Sequence, residues 1–374
     1  MLFPARHIPF VALTIMLVSL GGPLSGLAAD QTPAKIAPMQ FIPAGDARFR
    51  FEGRMDFSDK SGPVVIWEGS RISLDFEGTQ LALRFADGWE HNFFNVEVDG
   101  TNTIVGVPAG GACRVEVPLT RSPGRHHLML FKRSEAAKGH VRFLGVELAD
   151  GAPAWAPEPP AYRLRMEFFG DSITVGACNE DGAADQWEDY RTHNHALSFD
   201  YLTSQAWHAD HRAMAISGMG IVTGYVDVLA GQVWDRLYPR ADAPRADLKS
   251  WQPDVAFVNF GENDASFTHN QQQPFPEGYT AGYVALVRAI RAVYPRTQLV
   301  LLRGGMFNGA RSEPLIRAWS AAVKELEADD AQISHFVFEH CAALHPRVPD
   351  DRAMADELTA WLKQQRFMQP YLPR

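Results

Sequence analysis

The chain is short of cysteine. Cys113, Cys178 and Cys341 are the three that 374 positions carry, so at least one thiol stays unpaired and complete disulfide pairing is excluded. Free thiols, buried or partly buried, are the expectation; a Cys178–Cys341 bridge is the alternative. A basic stripe is missing too. The 35 Lys and Arg are scattered among 44 Asp and Glu, for a formal net charge of -9, which argues against a nucleic-acid partner. Nor does the amino-terminal apolar run, Ile8 to Leu20, reach the ~20 residues that a membrane span requires. With Arg6 before it, Gly21-Gly22-Pro23 after it and a small-residue exit at Ala28-Ala29, that run reads as a secretory signal peptide over residues 1–29. No cysteine stands near the exit, so a lipid anchor is not expected. The mature chain is expected to be exported, to the periplasm or beyond, with no membrane partner after cleavage.

The whole chain is 46% hydrophobic and 11% aromatic, which suits two folded domains and gives no sign of disorder. From Met39 to Leu148, short runs of Val, Ile, Leu and Phe alternate with turn signals such as Trp67-Glu68-Gly69-Ser70 and Val98-Asp99-Gly100-Thr101. In Ile72-Ser73-Leu74-Asp75-Phe76 and Leu81-Ala82-Leu83-Arg84-Phe85 every other residue is apolar. Strands with one face on a core read that way, and their repetition predicts an all-β sandwich or jelly roll over residues 37–149. Residues 150–162, with Pro153, Pro157, Pro159 and Pro160, read as a stiff linker. Residues 163–370 change to strand, turn, helix. Arg165–Phe169, Ala213–Ser217, Val255–Phe260 and Gln298–Arg303 are candidate parallel strands, and Tyr279–Tyr294 and Glu313–Glu327 are helical patterns, which together predict a parallel sheet flanked by helices.

Phe168-Phe169-Gly170-Asp171-Ser172-Ile173-Thr174 places a serine where a strand gives way to a turn and a helix. A hydroxyl there is exposed at the rim of an α/β sheet and is a candidate nucleophile. The same tripeptide also reads as an ordinary helix N-cap. Downstream follow Ser217-Gly218-Met219-Gly220, then Gly261-Glu262-Asn263-Asp264, and finally Leu344-His345-Pro346 ahead of a helical pattern from Asp351 to Gln365. An ester carbonyl attacked by Ser172 becomes an oxyanion, which calls for a base and preorganised donors. The glycine segment could equally be a βα turn, Asn263-Asp264 a helix cap, and His345-Pro346 a surface loop.

Serine, glycine, asparagine and histidine in that order resemble the four blocks of the SGNH (GDSL-type) hydrolases. The resemblance implies Ser172 as nucleophile, His345 as base, and Ser172 N–H, a backbone N–H at Gly220 or Gly218, and the Asn263 amide as oxyanion donors. By register Gly220 is preferred. The halves together, through Asn95-Val96-Glu97-Val98-Asp99-Gly100, Phe131-Lys132-Arg133-Ser134-Glu135 and Asn179-Glu180 beside the esterase blocks, resemble carbohydrate esterase family 2. Membership implies a jelly roll ahead of an SGNH domain and removal of acetyl groups from xylan or mannan-type polysaccharides, with no cofactor. Other SGNH acyl-ester hydrolysis and glycan binding by a degenerate esterase are the alternatives. Trp187 and Tyr190, in the long region after the Ser172 turn, are candidate sugar contacts; core packing is the competing reading.

Many SGNH enzymes carry an aspartate two or three residues before the histidine, where this chain has Ala343 and Ala342. A Ser172–His345 dyad is therefore expected, with no carboxylate on His345 Nδ1; Glu339, Asp350 and Asp351 are the acids nearest in sequence. His193-Asn194-His195 and His208-Ala209-Asp210-His211 raise the question of a catalytic metal. The second stretch reads as a solvated helix face and neither cluster borders a predicted strand end, so no metal is expected in the catalytic site.

Overall fold

The first twelve strands form two antiparallel six-stranded sheets that share one core. The structure, a computed structural model, describes residues 38–119 and 124–372; the expected signal peptide lies outside the described residues. One sheet runs Met55–Asp56, Val64–Val65, Gly139–Ala149, Leu81–Glu90, Cys113–Val117, with Met39–Pro43 also on Gly139–Ala149. The other runs Ala154–Trp155, Arg71–Gly78, Gly124–Lys132, Asn92–Val98, Thr101–Val107, with Arg50–Glu52 also on Arg71–Gly78. The alternation seen in the sequence supplies the inner faces. Leu74, Phe76, Leu128 and Leu130 from one sheet meet Leu83, Phe85, Phe143 and Val146 from the other, all of them buried, and each such side chain contributes roughly 1.5–3 kcal/mol. The proline-rich segment is pinned rather than free. Ala154–Trp155 pairs with Phe76 and Asp75, and the carbonyls of Pro157 and Glu158 accept from Arg50 at 2.9 and 2.8 Å.

The second half is a five-stranded parallel sheet in the order Ala209–Ala215, Leu164–Gly170, Val255–Asn259, Gln298–Met306, Ile333–Ala342. Two expectations change here. The second strand begins four residues before Ala213, because His211 is fully buried and Asp210 pairs with Arg71 of the antiparallel region; its polar residues face protein, not water. The fifth strand, Ile333–Ala342, was absent from the sequence reading. It forms an edge and is buried only at intervals, which erases the continuous apolar run of an inner parallel strand. The helix Tyr279–Val293 buries Tyr283, Leu286, Val287 and Ile290, as its spacing predicts. In chain order the sheet runs 2-1-3-4-5, so the direction of winding reverses beside Leu164–Gly170 and a crevice opens at the carboxyl ends of the strands there.

Candidate active site

Ser172 sits at that crevice. The strand Leu164–Gly170 ends, Asp171 adopts extended backbone (φ -119°), and a single helical turn, Ser172–Val175, closes at Gly176 with φ 73°. Asp171 caps the turn, its Oδ1 accepting from Ile173 N–H at 3.1 Å. Gly170 permits the tight packing: a Cβ there would stand 2.0 Å from Thr174 Oγ1. As the first helical residue, Ser172 keeps a backbone N–H without an intrahelical acceptor. Its side chain lines a cavity of about 410 Å³ together with Trp187, Gly218, Asn263 and His345.

The dyad expectation is overturned. His345 Nδ1 lies 2.8 Å from Asp185 Oδ2, and Arg347 Nη2 lies 2.8 Å from Asp185 Oδ1. Burial raises the Asp185 carboxyl, but the hydrogen bonds of His345 and Arg347 outweigh it and hold the group down at about 2. Asp185 comes from the loop after the nucleophile, 160 residues before the histidine. The acids nearest in sequence are engaged elsewhere or exposed. Asp350 faces His340 Nε2 at 2.8 Å, Asp351 accepts from Phe199 N–H and Asn179 Nδ2, and Glu339 is exposed. Arg347 also donates to Gly182 O and His345 O, at 2.9 Å each, so one guanidinium fastens the acid loop to the histidine loop. Among the described residues no Ser172–His345 hydrogen bond is formed; such bonds often tighten only with substrate.

The two candidate glycines are placed differently. Gly218 has φ 83° and lines the cavity. Gly220 does not: a Cβ on it would meet Thr223 O at 1.8 Å, because its turn folds around Asp264, whose carboxylate accepts from the N–H groups of Ile221, Val222 and Thr223 at 2.9, 2.8 and 3.1 Å. Asn263 reaches the cavity, with Nδ2 donating to Asp171 Oδ2 at 3.0 Å and Met219 O at 3.1 Å. Burial, aided by Glu262 and Asp264, pushes the Asp171 carboxyl up to about 8.

The two aromatic candidates part company. Trp187 lines the cavity, its ring centroid 5.1 Å from that of His345. Tyr190 is buried, stacked on His91 at 4.8 Å and edge-on to His193, so it is packing rather than a cavity wall. Sequence reasoning missed Tyr225 and Phe307, which line the same cavity while 50% and 53% exposed; exposure of large rings beside a site is the signal, and it is invisible before folding. It also missed Glu135, whose Oε2 accepts from Ser217 N–H at 2.8 Å, one residue from Gly218. The three cysteines are free thiols. Cys178 comes within ligand spacing of Asp185 and His345; burial, then Asp185 and Asp181, push its thiol well up.

A hydroxyl on a strand-to-helix turn, a carboxylate-supported imidazole and convergent N–H donors define an acyl-transfer site of the GDSL-like hydrolase class. Residues 168–363 match the model of the GDSL-like lipase/acylhydrolase family, and residues 51–159 match that of the carbohydrate esterase 2 N-terminal region. The chain belongs to carbohydrate esterase family 2. It is 29% identical over 325 residues to the cellulase/esterase CelE of Acetivibrio thermocellus, covering 84% of this chain and 39% of that protein. It spans well under half of that relative's length. An acetylxylan esterase / glucomannan deacetylase of Cellvibrio japonicus is 28% identical over 317 residues, covering 80% of this chain and 85% of that one. A family two carbohydrate esterase from Clostridium thermocellum, solved in complex with cellohexaose, superposes with a TM-score of 0.75 at 28% identity, over 87% of this chain and all of that chain.

Proposed function

We propose that the protein is a serine-dependent carbohydrate O-acetyl esterase acting on an acetylated polysaccharide of the xylan or mannan type. The observation that carries this reading is the convergence of Ser172, Gly218, Asn263 and the Asp185-supported His345 on one cavity. In this mechanism Ser172 Oγ attacks the acetyl carbonyl while His345 Nε2 takes its proton. Asp185 holds the Nδ1–H tautomer and stabilises the imidazolium that forms. The oxyanion receives the N–H groups of Ser172 and Gly218 and the Asn263 amide, which gives up its bond to Met219 O for one to the developing charge. Collapse releases the sugar hydroxyl with the proton from His345, and water repeats the steps on the acetyl-enzyme. Tyr225 and Phe307 flank the cavity where the C–H faces of a pyranose would rest, and Trp187 closes the side beside His345.

Export is part of the same reading, supported by Arg6, the apolar run Ile8 to Leu20 and the Ala28-Ala29 exit, as is a jelly-roll character for the first domain. The deciding experiment compares initial rates on acetylated xylan, acetylated glucomannan and 4-nitrophenyl esters of increasing chain length. Acetate release from a polysaccharide, with rates falling sharply beyond acetyl, is expected. Rates that climb with chain length and no release from either polymer would replace this reading with a lipase-like acyl hydrolase.

A further inference from the structure

One fully buried polar cluster lies outside the residues placed in ester hydrolysis. His195, Asp200 and His211 are all fully buried. His195 Nε2 lies 2.9 Å from His211 Nε2, and Asp200 Oδ2 lies 3.6 Å from the first and 3.8 Å from the second. A triangle with those three sides has a circumradius of about 2.0 Å, so one point stands at that distance from all three atoms; first-row ions such as Zn²⁺ sit roughly 2.0–2.2 Å from imidazole nitrogen and carboxylate oxygen. The outer contacts have the form that orients metal-binding histidines. The far nitrogen of His195, Nδ1, lies 3.1 Å from Thr174 O, which can only accept, so its Nε2 is left with a lone pair aimed at the cluster. The far nitrogen of His211 meets Ser204 Oγ at 2.9 Å. A second, independent observation points the same way: the buried Asp200 Oδ2 has no hydrogen-bond partner in the protein, whereas Oδ1 accepts from Ser198 Oγ. A single proton shared by the imidazoles would satisfy those rings and still leave that oxygen orphaned, at a cost of the kind that buried groups rarely bear. Gly69 completes the cradle, since a Cβ there would press to 3.1 Å from both imidazole rings.

We propose that His195, Asp200 and His211 form a structural site for one divalent transition-metal ion of the Zn²⁺ type. The donors come from the loop that follows the nucleophile turn, from the helix Phe199–Ala206 and from the strand Ala209–Ala215. An ion there would tie the three together, and through Nδ1 of His195 would fasten the carbonyl of Thr174, two residues from Ser172. It would be a staple beneath the catalytic turn. Arg71, whose charge is felt at both imidazoles, is itself paired with Glu52 and Asp210.

The test uses the full chain, purified without a metal-affinity tag and also refolded from denaturant with either excess Zn²⁺ or a chelator, its metal content read by mass spectrometry after gel filtration. About one equivalent in the Zn²⁺ sample and a higher melting temperature than in the chelator sample are expected. Refolding with Co²⁺ should give the absorption of a nitrogen- and oxygen-ligated ion without a thiolate charge-transfer band. Asp200→Asn and His211→Gln should each weaken occupancy at least tenfold, roughly the scale at which metal sites respond to lost partners, while Cys178→Ser should leave it unchanged. Wild-type protein with less than a tenth of an equivalent in every preparation would overturn the proposal without recourse to any variant. So would full occupancy in Asp200→Asn, or loss of the ion in Cys178→Ser.

Discussion

Replacing Asp185 with alanine is the sharpest test of the site, because the local sequence offered no acid for His345 and the fold supplies one. The carboxylate lies 2.8 Å from His345 Nδ1 and both side chains are mostly shielded, with 23% and 16% of their surfaces exposed. When the imidazolium forms, two opposite charges about 4 Å apart at an effective dielectric of about 20 attract by ~4 kcal/mol. Arg347, at 2.8 Å from the other oxygen, competes for the same negative charge, and taking it to absorb half leaves ~2 kcal/mol. Loss of the hydrogen bond that orients the ring adds ~1 kcal/mol. The sum, ~3 kcal/mol, corresponds to a fall in kcat of roughly 100-fold, with KM little changed because the interaction strengthens only as the proton moves. Initial rates and acetyl-enzyme burst kinetics on 4-nitrophenyl acetate would measure it, with circular dichroism to verify the fold. A fall of less than threefold would refute the triad and restore the dyad. A comparable fall for Asp350→Ala or Asp351→Ala would refute the assignment from the other side.

Ser172→Ala should abolish turnover while the thermal melt is retained, and more than about 5% of the wild-type rate on acetylated substrate would exclude it as nucleophile. Asn263→Ala should lower kcat by roughly 10²- to 10³-fold; an unchanged kcat with a raised KM would place that amide in ground-state binding instead. Tyr225→Ala and Phe307→Ala should raise KM for acetylated polysaccharide severalfold and leave 4-nitrophenyl acetate kinetics near wild type, an outcome reversed if the rings serve the acyl group rather than the sugar. The Asp171 carboxyl is raised to about 8 by burial, from an ordinary value of 3.8. Between those limits the folded state holds the extra proton, so its contribution to stability is full below pH ~4 and falls as pH rises towards 8. Asp171→Asn should flatten the decline of melting temperature over that window, and an unchanged slope would show that the group ionises freely.

What could be read before folding was whatever chemistry is local. The Gly170-Asp171-Ser172 turn follows an apolar strand, and Asn263 likewise follows Val255–Asn259, so each motif carries its own structural context; the family assignment and the fold class rest on those and hold. Asp185 had no such context. It lies in a polar loop with Asp181, Glu188 and Asp189 as neighbours, and no spacing distinguishes the acid that meets His345 from those that face water. Of the two candidate glycines only Gly218 lines the cavity, because the turn beyond Gly220 is set by Asp264 gathering three N–H groups, a tertiary event. His211 was misread for a related reason. Polar residues on the strand Ala209–Ala215 look solvated until Arg71 and Gly69, more than 130 positions earlier in the chain, are packed over them.

That last point bears on what the antiparallel sheets are for. Their contacts with the catalytic half are not those of a tethered accessory. Glu68 Oε1 accepts from Ala215 N–H at 2.9 Å and Glu135 Oε2 from Ser217 N–H at 2.8 Å, so two carboxylates from the first half hold consecutive alternate peptides leading to Gly218. A buried N–H stripped of its partner costs about 1–3 kcal/mol. Arg54 reaches across as well, 2.8 Å from Glu167 on the nucleophile strand, with both side chains almost wholly buried; removal of either partner would strand a charge in the interior. The segment leading to Gly218 is thus positioned from outside its own sheet. Folding of the first half is for that reason a condition of catalytic geometry in the second, whatever either half contributes to holding a glycan.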